Sequence, residues 1–332
     1  MSYEDFKKRV YSYLIKYKKE ELKIDEKGIS SFGKPHDCLL PKPYCVEKIP
    51  VMIYEGIKKT VEDIQKSKFA YKPHPAAASH VASSQTACLN LLVPILESED
   101  ADQILIQSGV APKGFDHIDR GQLRNGYCFE YWESTIEESK GLLGDHDPAA
   151  GTDSDVAIAY INKDKKLCLW LIEHKLTEDD FTTCGGYRSK GNTMKSNCTS
   201  CGIDDLLKDH GKCYYHKHCG YYYWKIMDKR ASFFSGKYEG EGCPFRGGMN
   251  QLWRNQMLAL ELEDKKLFEE VYFSVVSHPE NTFLDKRMNQ YLDLINHSPK
   301  FFAFKSTALV DAAASYLPDW AKWYRRVYLG IE

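Results

Sequence analysis

Asp155, Glu173 and Lys175 are the residues of this chain whose types and spacing could do chemistry together. Glu173 and Lys175 lie two apart, directly after an apolar run at 167–172 that reads as a strand buried on both faces. A period of two sets both on one face of that strand. Asp155 stands at the mouth of the preceding segment, where Val156, Ile158 and Tyr160 alternate with smaller residues, and Asn162-Lys163-Asp164-Lys165-Lys166 breaks the pattern as a turn. Two carboxylates and an ammonium at the end of a buried hairpin are costly unless they are paired. A hard divalent cation resolves that cost. Mg²⁺ takes oxygen ligands, commonly one or two carboxylates, with waters and phosphate oxygens completing its shell. Lys175 could then orient or help deprotonate an attacking water and offset charge on a phosphoryl transition state. A surface hairpin with a solvated salt bridge is the plain alternative. Asp153 competes with Asp155 for the aspartate role; Asp155 is preferred because it adjoins the apolar strand.

The elements around this hairpin must position the triplet. Apolar residues over 86–96 predict a helix, with Ser83 or Ser84 as a natural N-cap. Its free amides could also hold a phosphate, which brings Ser84 and Gln85 forward as DNA contacts. Residues 126–132 predict a strand carrying Glu130, either an auxiliary carboxylate of the metal site or a structural ion pair. A helix over 250–263 carries Gln251 and Arg254 three apart on one side. Strands follow at 271–277 and 301–304, and a helix closes the chain over 319–327. At the other end, Ser2 with Asp5 resembles a capping box before Phe6, Val10, Leu14 and Tyr17 at helical spacing. Lys7, Lys8, Arg9, Lys16, Lys18 and Lys19 on this helix read first as a solvated face and second as a DNA contact. A further helix is expected over 52–65.

After Glu178 the composition changes. Six of the eleven cysteines fall between Cys184 and Cys243. Cys198 and Cys201 form a CxxC, the spacing that lets two thiolates grip one tetrahedral ion, and Cys213 and Cys219 follow with His216 and His218 between them. These four cysteines are the expected ligands of a structural zinc. An iron–sulfur cluster stays open, as does a set of free thiols in an aromatic cluster. From Cys184 to Arg230 there are nine Lys/Arg against four Asp, a local charge of +5 that includes Arg188 and Lys190. Positive charge mixed with tyrosines suits a surface that tracks a nucleic-acid backbone, and a metal-stapled interaction knob would look similar.

A chain of 332 residues has ample length for a sizeable core. The formal charge of −2 excludes a global polycation, so any contact with nucleic acid must use a local patch. The charged start and the lack of an apolar run near the ~18 residues of a membrane span predict a soluble, cytoplasmic protein with reduced or metal-bound cysteines. The expected division is a helical N-terminal region at 1–75, a first core part at 76–180, a Cys-rich insert at 181–246 and the remainder at 247–332.

The order from residue 86 is helix, three strands, helix, strand. This αβββαβ order, with Asp155 and Glu173-His174-Lys175 at the ends of its second and third strands, resembles the PD-(D/E)xK nuclease superfamily; Ser154-Asp155 stands where the family has Pro-Asp. Ser83-Ser84-Gln85, Leu176-Thr177-Glu178 and Asn250-Gln251-Leu252-Trp253-Arg254-Asn255-Gln256 are similar to the layout of bacterial restriction endonucleases of that superfamily. The resemblance covers about residues 75–310. It implies an α/β (α+β) restriction-endonuclease-like fold with a mixed central sheet, with Asp155 and Glu173 as metal ligands and Lys175 as catalytic lysine. Gln251 and Arg254 would flank the scissile phosphate, and Glu130 would assist. The function expected is an Mg²⁺-dependent DNA endonuclease of restriction or anti-phage defence, possible as a homodimer. The alternatives are an exonuclease or repair nuclease, and a non-catalytic DNA- or protein-binding module built on the insert.

Overall fold

A computed structural model describes residues 1–331 apart from 46–48, 75–77, 134–139 and 147–150. The helix α1 (Tyr3–Glu20) begins at Ser2, whose hydroxyl oxygen accepts the Asp5 amide at 3.2 Å, and it buries Phe6, Val10, Leu14 and Tyr17 as its spacing predicts. Lys18 on it is also buried. Its ammonium donates to the carbonyls of Glu26 and Asp37 at 2.8 and 2.9 Å. The helix expected at 52–65 is shorter, Lys58–Lys66, preceded by a single 3₁₀ turn.

Six strands form the main sheet: β1 (Phe115–Ile118), β2 (Tyr127–Tyr131), β3 (Ser154–Asn162), β4 (Leu167–Lys175), β5 (Glu270–Ser277) and β6 (Phe301–Lys305). The β3–β4 hairpin is antiparallel, and its turn is held by the Asn162 side chain, which accepts the amides of Asp164 and Lys166. Both β1 and β2 pair antiparallel with β3 along its other edge, whereas β5 lies parallel to β4 and β6 parallel to β5. Parallel pairing requires crossovers. The first contains the 181–246 segment and helix α3 (Met249–Asp264); the second contains a helix at Asp285–Leu294.

Alternation along the strands divides the core into two layers. Ile158, Tyr160, Trp170 and Ile172 face α1, the helix α2 (Ser84–Leu96) and the C-terminal helices. Ala157, Ala159, Leu169, Leu171, Phe273 and Val275 face α3 and the insert. Continuing the second row by twos along β4 reaches Glu173 and Lys175. The apolar run that fills the core therefore delivers the charged pair to the α3 side of the sheet. Within α2, the buried Asn90 ties two distant segments to the helix, donating to the Met52 carbonyl and the Tyr328 hydroxyl while accepting the Tyr54 amide.

The expected αβββαβ order is present, embedded in a larger mixed sheet. The region 99–124 holds a helix at Ala101–Gln107 and strand β1. The closing helix is split: Ser306–Ala313, Pro318–Tyr324 and a wider terminal turn at Arg325–Leu329.

Candidate active site

The strand registers place three carboxylates in one rank. Val156 opposes Ile172 in the β3–β4 ladder, so Asp155 lies across from Glu173 one step on. In the β2–β3 ladder Phe129 opposes Val156 and Tyr131 opposes Ser154, which leaves Glu130 across from Asp155. Opposed side chains on adjacent strands lie about 5 Å apart at Cβ. Glu130 departs from strand geometry with φ +52°, a left-handed conformation uncommon for a side-chain-bearing residue and concentrated at functional sites.

Each carboxylate is held. Glu173 accepts Lys175 Nζ at 2.8 Å and Gln251 Nε2 at 2.7 Å on Oε1, and Asn255 Nδ2 at 2.9 Å on Oε2. Asp155 accepts the His174 amide at 2.7 Å. Glu130 accepts Gln85 Nε2 at 2.7 Å, and Gln85 is itself fixed by the Lys72 carbonyl and the His74 amide. Ser83 caps α2 as expected, and the neighbouring Ser84 hydroxyl donates to the His174 carbonyl at 3.4 Å.

Removal from water pushes the Asp155 carboxyl well above the ordinary range; Glu173 and Glu130 add to this and Lys175 opposes it. The Glu130 carboxyl is pushed up to about 7 by burial, with the Gln85 bond acting against and Asp153 and Glu173 acting with the shift. Burial disfavours the Lys175 ammonium, but Glu173, Glu178 and Asp155 outweigh it and raise its pKa. His174, between Glu173 and Lys175, is held neutral: burial, Lys175 and His278 bring it down to about 3.

These groups line a cleft of about 580 Å³ with Ser84, Gln85, Glu178, Asp179 and Asp180. Six carboxylates and two lysines, Lys175 and Lys7, face it. Lys7 comes from the N-terminal helix and lies over the rings of Tyr3 and Tyr11, 5.5 and 5.7 Å from their centroids. The basic face of α1 is thus in part a wall of the cleft, which its sequence left as the second choice.

Asp153 is not among the residues lining the cleft. It pairs with His146 Nε2 at 2.7 Å, so Asp155 is the aspartate of the cleft. Arg254 is also elsewhere: its guanidinium meets the Thr152 hydroxyl at 3.2 Å and the Gly151 carbonyl, within 3.9 Å of Asp145. The pair expected from Gln251 and Arg254 is replaced by Gln251 and Asn255, four apart on α3, whose side chains hold both oxygens of Glu173. Arg188 and Lys190 are exposed on the insert, outside the cleft lining.

The whole chain decides the family. Residues 12–329 match the family described as Restriction Endonuclease associating with ARP. The chain belongs to that family. No curated protein and no solved structure matches it significantly. Membership in this restriction-endonuclease family points to a nuclease with DNA as substrate. No helix among the described residues is long and apolar enough to cross a membrane.

The family does not by itself supply a metal, and among the described residues no three His, Cys, Asp or Glu side chains are placed to hold an ion unaided. The donor set nonetheless fits Mg²⁺. Its donors are all oxygen, two carboxylates face each other across adjacent strands, and this ion keeps waters and phosphate oxygens in its shell instead of a full protein cage. Of the four cysteines expected to bind zinc, Cys198 and Cys219 each lie within electrostatic reach of Cys213, and Cys201 Sγ lies 3.9 Å from the Ser200 hydroxyl.

Proposed function

We propose that this protein is an Mg²⁺-dependent DNA endonuclease of the restriction or anti-phage type. The observation that supports this reading above the others is the rank Glu130–Asp155–Glu173 with Lys175 Nζ bonded to its end. Asp155 and Glu173 would hold the ion. When bound, Mg²⁺ supplies Lewis acidity toward a phosphoryl oxygen and a more acidic water. A cleft lined by six carboxylates repels a phosphodiester, so cation charge must enter with the substrate. Lys175, kept as an ammonium by its acidic neighbours, donates hydrogen bonds to the attacking water or the phosphoryl oxygens and offsets their growing charge. Gln251 and Asn255 fix Glu173, and Gln85 fixes Glu130, so no side chain needs to be recruited during the reaction. Lys7, supported between two tyrosines, is placed to receive a backbone phosphate at the rim.

The test is purified protein on supercoiled plasmid with Mg²⁺, with and without EDTA. Nicked or linear product that EDTA abolishes supports the endonuclease. Loss of linear DNA from its ends with closed circles intact would replace it with an exonuclease. An intact plasmid bound by the protein would replace it with a binding module.

A further inference from the structure

The insert between β4 and α3 contains no strand, and its α-helices are short, from Gly185–Arg188 to Tyr223–Lys229 at seven residues. Segments so short do not hold themselves together, and small scaffolds of this kind rely on covalent or metal staples. Four of its cysteines come from four separate places in the segment. Backbone bonds draw those places together. The Cys243 amide donates to the Cys198 carbonyl at 3.0 Å, and the Cys184 amide donates to the Arg246 carbonyl at 3.3 Å. The Asn197 side chain reaches the Lys212 carbonyl at 3.2 Å, beside Cys213, and Arg246 Nη1 donates to the Cys198 carbonyl at 3.2 Å.

We infer that Cys184, Cys198, Cys213 and Cys243 are the four thiolate ligands of an iron–sulfur cluster that staples the insert to the scaffold of the cleft. Cys213 lies within electrostatic reach of Cys184, Cys198 and Cys243, Cys243 also within reach of Cys184 and Cys198, and Cys184 within reach of Cys198; none of the four is in a disulfide. Yet no three of these residues are placed to hold one ion, as a tetrahedral zinc would require. A cluster distributes its thiolates over several irons, so four sulfurs face one another across it without meeting at one point. One further feature agrees. The Tyr187 amide donates to Cys184 Sγ at 3.4 Å, the type of bond that supports a cluster ligand.

The placement also gives the staple a purpose. Cys184 follows the acidic stretch after Lys175, and Cys243 leads into α3, which carries Gln251 and Asn255. Just outside these two cysteines the Thr182 amide donates to Gln251 Oε1 at 3.0 Å.

Full-length protein purified without oxygen provides the test, and the readout needs no nuclease assay. We expect broad visible absorption, with iron and acid-labile sulfide in about equal amounts. Cys184→Ser, Cys198→Ser, Cys213→Ser and Cys243→Ser should each lose the iron, while Cys201→Ser and Cys219→Ser should retain it. Wild-type protein that stays free of iron after reconstitution with ferrous iron and sulfide would overturn the inference. So would stoichiometric zinc in its place, or iron lost as readily from the Cys201 and Cys219 variants.

Discussion

At the scale of single residues, the molecule keeps several ionisable groups away from their ordinary states, and their partners say why. His278 is buried, its Nδ1 accepts the Glu280 amide at 3.2 Å, and its Nε2 therefore carries the proton shared with the Tyr328 carbonyl at 3.1 Å. Burial, with Arg9 and Lys305 nearby, brings its pKa down to about 4. An unfolded histidine titrates near 6.5, so the unfolded chain binds the proton first. The stability from neutral His278 is full above about pH 6.5 and is lost as pH falls through 4, to a total of up to ~3 kcal/mol. Thermal unfolding of wild type and His278→Gln at pH 7 and pH 4.5 should show a smaller acid-induced drop in the variant. An equal drop in both would remove His278 from this role.

At the scale of elements, α3 determines the site more than its sequence disclosed. Gln251 and Arg254 drew notice as polar residues three apart, but the helix turns Gln251 and Asn255 toward Glu173 and Arg254 toward Asp145. An amide such as Asn255 carries no charge signature, and it gains meaning only from the carboxylate it meets. Asn255→Ala should lower the cleavage rate by ~10-fold with little change in DNA affinity, because it frees Glu173 without touching substrate. Equal losses in rate and affinity would instead place Asn255 against the DNA. The β3–β4 hairpin was legible because a buried apolar run ends abruptly in charge. Strand β1 was not, since Phe-Asp-His-Ile has only two apolar residues and sits at an edge. The helix Asp285–Leu294 was missed because its buried Met288, Tyr291 and Leu294 are diluted by polar neighbours.

At the scale of the whole molecule, one mixed sheet separates two apolar layers, and the charged rank lies at the ends of its central strands under α3. The order of the central elements could be read from hydrophobic periodicity, because local pattern sets strand and helix. Which distant residues meet could not. The CxxC spacing drew attention to Cys198 and Cys201, whereas the chain folds Cys184 and Cys243, fifty-nine positions apart, toward Cys198 and Cys213. Likewise the N-terminal helix returns across the cleft, where the Tyr3 hydroxyl donates to the Thr177 carbonyl at 2.9 Å and Lys7 faces the acidic floor.

The measurement that bears most directly on the central claim is plasmid cleavage in Mg²⁺ by wild type, Asp155→Asn and Lys175→Gln, each first shown to be folded by thermal unfolding. Both substitutions should reduce cleavage by at least ~10²-fold while DNA is still bound. Cleavage by folded Lys175→Gln or Asp155→Asn at the wild-type rate would contradict the account.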